Sequence, residues 1–98
     1  MTETRKKKLY GYCWEAWGEA RQLGQLQEEL AELIQALSKA MHRSGSIECV
    51  VAEIADVEIC LEQVKYMLEL HDRVDKEKSC KLDRLVVTYT DWVRGLVR

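Results

Sequence analysis

Apolar residues recur at helical spacing along most of the chain, most clearly in two central stretches. When successive residues are rotated by about 100°, the apolar positions of each stretch fall on one side of a helix. The first stretch carries Leu23, Leu26, Leu30, Leu33, Ile34, Leu37 and Met41. The second carries Ile47, Val50, Val51, Ile54, Val57, Leu61, Val64 and Leu68. This pattern predicts two long amphipathic helices, and the chain has no proline that would interrupt them.

Glycines mark the expected boundary between the first two helices. The first helix is predicted from about Glu3 to Trp17. Gly18 or Gly24 is expected to form its joint with the second helix, because glycine weakens a helix interior by about 1 kcal/mol and often marks its end. The second helix is then predicted to run to about Arg43.

The segment Ser44–Ser46 is the clearest break in the helical pattern. Gly45 is expected to end the second helix, and Ser46 is expected to cap the third. The third helix is predicted from about Ile47 to Leu70. Because so short a turn leaves little room for a crossover, helices two and three should be antiparallel neighbours.

A polar segment precedes the predicted fourth helix. We expect a turn within His71–Lys76, with Asp72 or Asp75 as the N-cap residue. The apolar residues that follow are again at helical spacing: Leu82, Leu85, Val86, Tyr89, Trp92, Val93 and Leu96. The chain is therefore predicted to be all-α, an antiparallel helical bundle forming a single domain over residues 1–98. Four helices in 98 residues make a thin bundle, so we expect a homodimer or homotetramer to complete it.

Composition and charge exclude some classes of protein. Apolar residues make up 47% of the chain and charged residues 33%, which is typical of a soluble globular protein. The net charge of −2 argues against general nucleic-acid binding, and no apolar run is long enough to cross a membrane. The basic cluster Arg5–Lys8 is not followed by the apolar segment of a signal peptide, so we expect a cytoplasmic protein. The cysteines form no CxxC pair and are expected to be reduced packing residues; they are Cys13, Cys49, Cys60 and Cys80.

Two carboxylate pairs are the strongest candidates for chemistry. Glu29 and Glu32 are spaced i, i+3, and so are Glu53 and Asp56. On a helix this spacing places both carboxylates on one face, about 5–6 Å apart at Cβ, and each pair borders its helix's apolar stripe. If helices two and three pack together, four carboxylates would face one another, and their repulsion would require a cation. Oxygen ligands favour Mg²⁺, Mn²⁺ or Ca²⁺ over softer metals.

These pairs resemble the ExxE and ExxD motifs of the MazG-like group of all-α nucleoside triphosphate pyrophosphohydrolases. The matching segments here are Glu29–Glu32 and Glu53–Asp56, and their spacer has a length usual for the group. The paired motif inside two apolar stripes is more specific than either motif alone, since ExxE is common in helices. The resemblance covers most of the chain, from Trp17 to Leu85.

Three flanking segments extend the resemblance. Trp17-Gly18 and Gln22–Gln25 are similar to the residues that precede the first motif in the family, and Lys81–Arg84 looks like its later Lys/Arg segment. Some members have an asparagine just before that segment, whereas this chain has Ser79 and Cys80. The match is therefore incomplete where phosphate and sugar contacts are expected.

The resemblance implies hydrolysis of a nucleoside or deoxynucleoside triphosphate to the monophosphate and pyrophosphate. It implies Mg²⁺, with Mn²⁺ as a substitute, bound by Glu29, Glu32, Glu53 and Asp56. A carboxylate beside the metal, Glu29 or Glu32, could take the proton of the attacking water. It also implies a dimer or tetramer of helices.

Four further residues are candidates for substrate contacts. Lys81 and Arg84, one turn apart on the predicted fourth helix, could hold the pyrophosphate group. Trp17 and Gln25 are candidates for contacts with the base or sugar.

Other functions remain open from the sequence. A helical interaction or regulatory module could have this fold without activity, and a related enzyme could hydrolyse a phosphoribosyl nucleotide with the same acids. A carboxylate-bridged iron or manganese protein is disfavoured, because such sites usually contain Glu-x-x-His. Neither His42 nor His71 follows an acid at that spacing; the positions three residues earlier are Lys39 and Leu68.

Overall fold

The structure, a computed structural model, describes the backbone of residues 1–97 and the side chains of residues 1–95. Its helices are α1 (Glu3–Trp17), α2 (Glu19–Met41), α3 (Ile47–Met67) and α4 (His71–Val97). The described residues contain no strand, so the all-α prediction is confirmed. No helix within them combines the length and the apolar composition needed to cross a bilayer.

The described chain forms two compact units. Helices α1, α2 and α3 belong to the first, Met1–Leu68, and the second begins at Glu69 and contains α4. The candidate acids all belong to the first unit. A single domain over the whole chain stays a prediction.

Gly18 is the joint between α1 and α2. Its backbone angles, φ 84° and ψ 159°, lie in a region that essentially only glycine adopts. Its N–H donates to the carbonyl of Trp14 (2.8 Å), and its own carbonyl accepts from the N–H of Gln22 (3.1 Å). One residue therefore ends α1 and starts α2, whereas Gly24, the other candidate, lies inside α2.

The turn between α2 and α3 differs from the prediction in one respect. Ser46 caps α3 as expected, because its hydroxyl oxygen accepts from the N–H three residues further on (3.3 Å). Gly45 does not end α2, since the left-handed residue that follows this helix is Arg43 (φ 60°). Gly45 is needed for space instead: a Cβ there would lie 2.9 Å from the Cβ of Lys39.

The predicted boundary between helices three and four is wrong. Helix α3 ends three residues earlier than expected, and the left-handed residue after it is Glu69 (φ 56°). The segment His71–Lys76 is helical, so neither Asp72 nor Asp75 is an N-cap. Asp75 instead pairs with His71 one turn earlier, with 3.4 Å between Oδ2 and Nε2.

Apolar residues of α4 are largely exposed. Five of them are at least 58% exposed: Leu82, Leu85, Val86, Tyr89 and Trp92. Leu96, which the sequence placed in the same row, lies outside the described side chains.

Helices α2 and α3 form the most extensive helix pair of the first unit. The residues of α2 that are buried, Gln22 and Ala36, lie in the row that borders its apolar stripe. Ile34 and Met41, within the stripe, are 68% and 80% exposed. These two residues are therefore not covered within the single chain, whereas other residues of the same stripe are partly buried. The row of α2 that carries the acids faces α3.

A polar network attaches α1 to α3. The Nζ of Lys6 lies 2.8 Å from Glu3 Oε1 and 3.0 Å from Glu62 Oε1. The hydroxyl of Tyr10 donates to Glu62 (3.0 Å), and that of Tyr66 donates to Glu3 (3.1 Å). The hydrogen bond from Lys6 is the largest cause that lowers the pKa of each carboxyl. Burial, followed by the bond to Glu62, raises the pKa of Tyr10 to about 12. These contacts hold α1 against α3.

Opposite effects are predicted for alanine at the two glycines near the start of α2. Gly18→Ala should destabilise the protein by about 1–3 kcal/mol, because alanine would be strained at this backbone conformation. Gly24→Ala should stabilise it by about 0.5–1 kcal/mol, since position 24 is helical and no atom lies within 4 Å of an added Cβ. Chemical denaturation of both variants measures this, and equal effects would contradict the role given to Gly18.

Candidate metal site and adjoining clefts

Three of the four predicted acids meet between α2 and α3. Glu29 comes from α2, and Glu53 and Asp56 come from α3. Each offers a carboxylate oxygen, and these oxygens lie within 4.8 Å of one another. Three of the four predicted acids therefore face one another across the helix interface, and Glu32 is not among them.

Two oxygens of this acid cluster are buried without a partner. Neither Oε2 of Glu29 nor Oε2 of Glu53 has a hydrogen-bond partner among the described residues. Such oxygens are costly to bury, because their interactions with water are lost and not replaced. A divalent cation would satisfy them, and Mg²⁺ takes oxygen ligands while keeping several of its waters. The residues present thus fit a Mg²⁺ or Mn²⁺ ion.

The pKa of Glu29 is raised by its surroundings. Burial raises its pKa, a hydrogen bond from Gln25 opposes this, and the carboxylates of Glu32 and Asp56 raise it further. In that hydrogen bond, Nε2 of Gln25 donates to Oε1 of Glu29 at 2.8 Å. A nearby cation would favour the ionised form and counteract the effect of the acids.

The same acids affect the nearby thiol of Cys60. Burial, with the charges of Glu29 and Asp56, raises the pKa of this thiol. Since the thiolate is the form that binds metals, the raised pKa argues against Cys60 as a ligand.

Glu32 lies at the edge of the cluster. It is exposed, and it is not one of the three acids whose oxygens meet within 4.8 Å. Its charge still reaches Glu29, and it lines a cleft together with Glu53. Its role as a metal ligand stays a prediction.

A cleft of about 320 Å³, here called the aromatic cleft, adjoins the acids on one side. Trp17 and Gln25, the predicted base or sugar contacts, both line it. Because Gln25 also holds Glu29, the cleft leads to the acid cluster. Tyr10 and Ile59 contribute further aromatic and aliphatic surface.

Two polar residues of this cleft were not among the candidates predicted from the sequence. Gln63 is buried, and its Nε2 donates to the carbonyl of Tyr10 at 3.4 Å. Arg21 contributes a cation. Gln63 lies seven residues after Asp56, on the same face of α3, and this spacing was the one signal that could have found it.

A second cleft, here called the turn cleft, lies between the acids and the α2–α3 turn. Its volume is about 440 Å³, and Glu32, Lys39, Gly45 and Glu53 are among its lining residues. Lys39 was not singled out from the sequence, because a lysine in the last turn of a helix is common for electrostatic reasons.

The predicted phosphate contacts belong to the second unit. Lys81 and Arg84 are exposed residues of α4, three positions apart. Their role in holding phosphate stays a prediction.

Comparison of the chain with protein-family models, with curated proteins and with solved structures found no match. The assignment of a function therefore depends on the sequence motifs and on the site itself.

Mg²⁺ is predicted to stabilise the folded protein through the acid cluster. At a free Mg²⁺ concentration 100 times the dissociation constant, binding would add about 2.7 kcal/mol to the free energy of unfolding. Each kcal/mol raises the Tm of a domain this small by about 4–8 °C. Glu29→Gln and Asp56→Asn should abolish this rise while increasing the Tm of the metal-free protein, because each removes a repelling charge. Glu32→Gln should reduce the Mg²⁺-induced rise in Tm by less than the other two substitutions do.

Thermal unfolding with and without MgCl₂ measures these effects. Glu28→Gln is the matched control, since Glu28 is exposed and adjacent to Glu29 in α2. An equal rise in the wild type and in Glu29→Gln would contradict the metal site.

Proposed function

We propose that this chain is a Mg²⁺-dependent nucleoside triphosphate pyrophosphohydrolase of the MazG-like type. It would convert a nucleoside or deoxynucleoside triphosphate to the monophosphate and pyrophosphate. The observation that carries the proposal is the meeting of Glu29, Glu53 and Asp56 between α2 and α3, with two buried carboxylate oxygens that lack partners. The resemblance of the two motifs supplies the reaction class.

The residues of the acid cluster have separate roles in this proposal. Glu29, Glu53 and Asp56 hold the cation, and Gln25 orients Glu29 through its hydrogen bond. Bound Mg²⁺ supplies charge neutralisation of the triphosphate and a lowered pKa of bound water. Glu32, exposed at the edge of the cluster, is the base that accepts the proton of the attacking water.

The aromatic cleft is proposed to bind the nucleoside. Trp17 and Tyr10 offer aromatic surface for a base, and Gln25 and Gln63 offer amide donors and acceptors. Its volume of about 320 Å³ is within the range usual for small-molecule sites. None of the described residues that line this cleft is an acid, so the cleft itself does not repel an anionic substrate through a carboxylate.

We also propose a homodimer or homotetramer. Apolar residues on α2 and α3 remain at least 39% exposed: Leu30, Ile34, Leu37, Met41, Ile47, Val51, Ile54 and Leu61. So many exposed apolar residues on two packed helices support an interface, because large exposed apolar patches are uncommon on monomers. A second copy of the chain would cover it.

The position of water attack gives the sharpest test of the reaction. Hydrolysis in ¹⁸O-labelled water should place the label in the nucleoside monophosphate, because the proposed site binds the triphosphate by its α end. A panel of canonical and modified nucleoside triphosphates identifies the substrate, and a phosphoribosyl nucleotide tests the related reaction. Label in pyrophosphate, orthophosphate as first product, or no turnover of any nucleotide would overturn the proposal.

Sedimentation should show a dimer or tetramer at micromolar concentration. Ile34→Glu should shift the protein towards the monomer, because a charge would be buried in the proposed interface. Gln27→Glu, an exposed polar position of α2, is the matched control. A monomeric wild type would contradict this part of the proposal.

A further inference from the structure

We propose that Lys39, in the turn cleft, binds the β- and γ-phosphates that leave together as pyrophosphate. This inference rests on the proposed function and deepens it. It assigns the leaving group to a cation of the first unit rather than to Lys81 or Arg84 of α4. It also fixes the direction in which the substrate lies across the acids.

The two clefts lie on opposite sides of the acid cluster along α2. The aromatic cleft is joined to the cluster by Gln25, one turn before Glu29. The turn cleft includes Glu53 of the cluster and extends to Lys39, which lies seven residues after Glu32. Long side chains on a helix lean towards its N-terminus, which for Lys39 is the direction of the acids. A substrate with one end in each cleft therefore has its middle at the acids.

The linings determine which end of the substrate each cleft can take. The aromatic cleft has the surfaces of Tyr10, Trp17 and Ile59, which suit a base. The turn cleft has neither an aromatic residue nor an aliphatic one larger than Ala36 among its described lining residues. It therefore offers nothing on which a base can stack, and its polar lining suits phosphates.

The side chain of Lys39 is available for an anion, and its backbone carbonyl is bound by the turn. It makes no ion pair with any described residue. Its carbonyl accepts from the N–H groups of Ser44 (3.0 Å) and Gly45 (3.2 Å). Gly45 also leaves space beside this side chain, because a Cβ at position 45 would lie 2.9 Å from the Cβ of Lys39.

The charges of the turn cleft make phosphate binding depend on the metal. Glu32 and Glu53 outnumber Lys39, so pyrophosphate alone should be repelled. A divalent cation on the acid cluster would make the net charge around the cleft positive. The ammonium group of Lys39 can then form charge-assisted hydrogen bonds with phosphate oxygens.

Titration calorimetry of pyrophosphate in saturating MgCl₂ tests this inference without turnover. Lys39→Gln should weaken pyrophosphate binding by about tenfold or more, as expected for the loss of a charged hydrogen-bond donor. Lys39→Arg should restore most of the affinity. Gly45→Ala should also weaken binding, because it keeps the charge but displaces the side chain that carries it.

Two controls separate a binding role from a structural one. The affinity of Lys39→Gln for Mg²⁺ alone should be unchanged or slightly tighter, whereas damage to the fold would weaken it. Lys78→Gln, an exposed lysine of α4 with no assigned role, should bind pyrophosphate like the wild type.

Each of four results would overturn the inference. They are no binding of pyrophosphate to the Mg²⁺-loaded wild type, unchanged binding in Lys39→Gln, equal weakening of Mg²⁺ and pyrophosphate binding in that variant, and a larger loss in Arg21→Gln or Lys81→Gln. The proposed function fails by a separate result, the absence of pyrophosphate release from every nucleotide in the panel.

Discussion

The packing of α2 against α3 brings negative charges together in a partly buried interface, and the rest of the first unit is arranged around this constraint. Glu29, Glu53 and Asp56 come within 4.8 Å of one another, and two of their oxygens are buried without partners. Packing of Ala36, Val50 and other apolar side chains offsets the repulsion. Folding and cation binding should therefore be coupled, because a cation that binds the folded state removes an unfavourable interaction within it.

The same packing explains where the clefts and the exposed apolar residues lie. Because α2 presents its acid-bearing row to α3, part of its apolar stripe, including Ile34 and Met41, stays exposed, and a second copy could cover it. The aromatic cleft forms where α1, anchored by Lys6 and Tyr10, meets the α2–α3 pair. The turn cleft forms at the other end of that pair, beside Lys39 and Gly45. The aromatic cleft, the acid cluster and the turn cleft thus follow one another along α2.

The sequence predicted the helices well because their signals are local. The bounds of α1 and the cap at Ser46 agree with the structure, and the i, i+3 spacing correctly placed the acids on facing rows. The start of α4 was wrong, since Asp72 and Asp75 are typical capping residues that here lie within the helix. Each of these boundaries is signalled only by the few residues around it.

The apolar periodicity of the sequence could not predict which helix faces are buried within the single chain. An apolar stripe shows which side of a helix avoids water, but not whether the same chain or another copy covers it, and in the single chain Ile34 and Met41 of the stripe are exposed. The aromatic cleft joins Tyr10 to Gln63, 53 residues apart, and no local pattern links them. Lys39 was missed because its significance comes from the cleft around it.

The most direct test of whether the acids between α2 and α3 bind a divalent cation is diffraction from crystals grown with Mn²⁺. Mn²⁺ takes the same oxygen ligands as Mg²⁺ and can be located by its anomalous scattering. We expect an anomalous peak bonded to carboxylate oxygens of Glu29, Glu53 and Asp56. A map with no peak at these residues, or with Mn²⁺ bound only elsewhere on the chain, would contradict it.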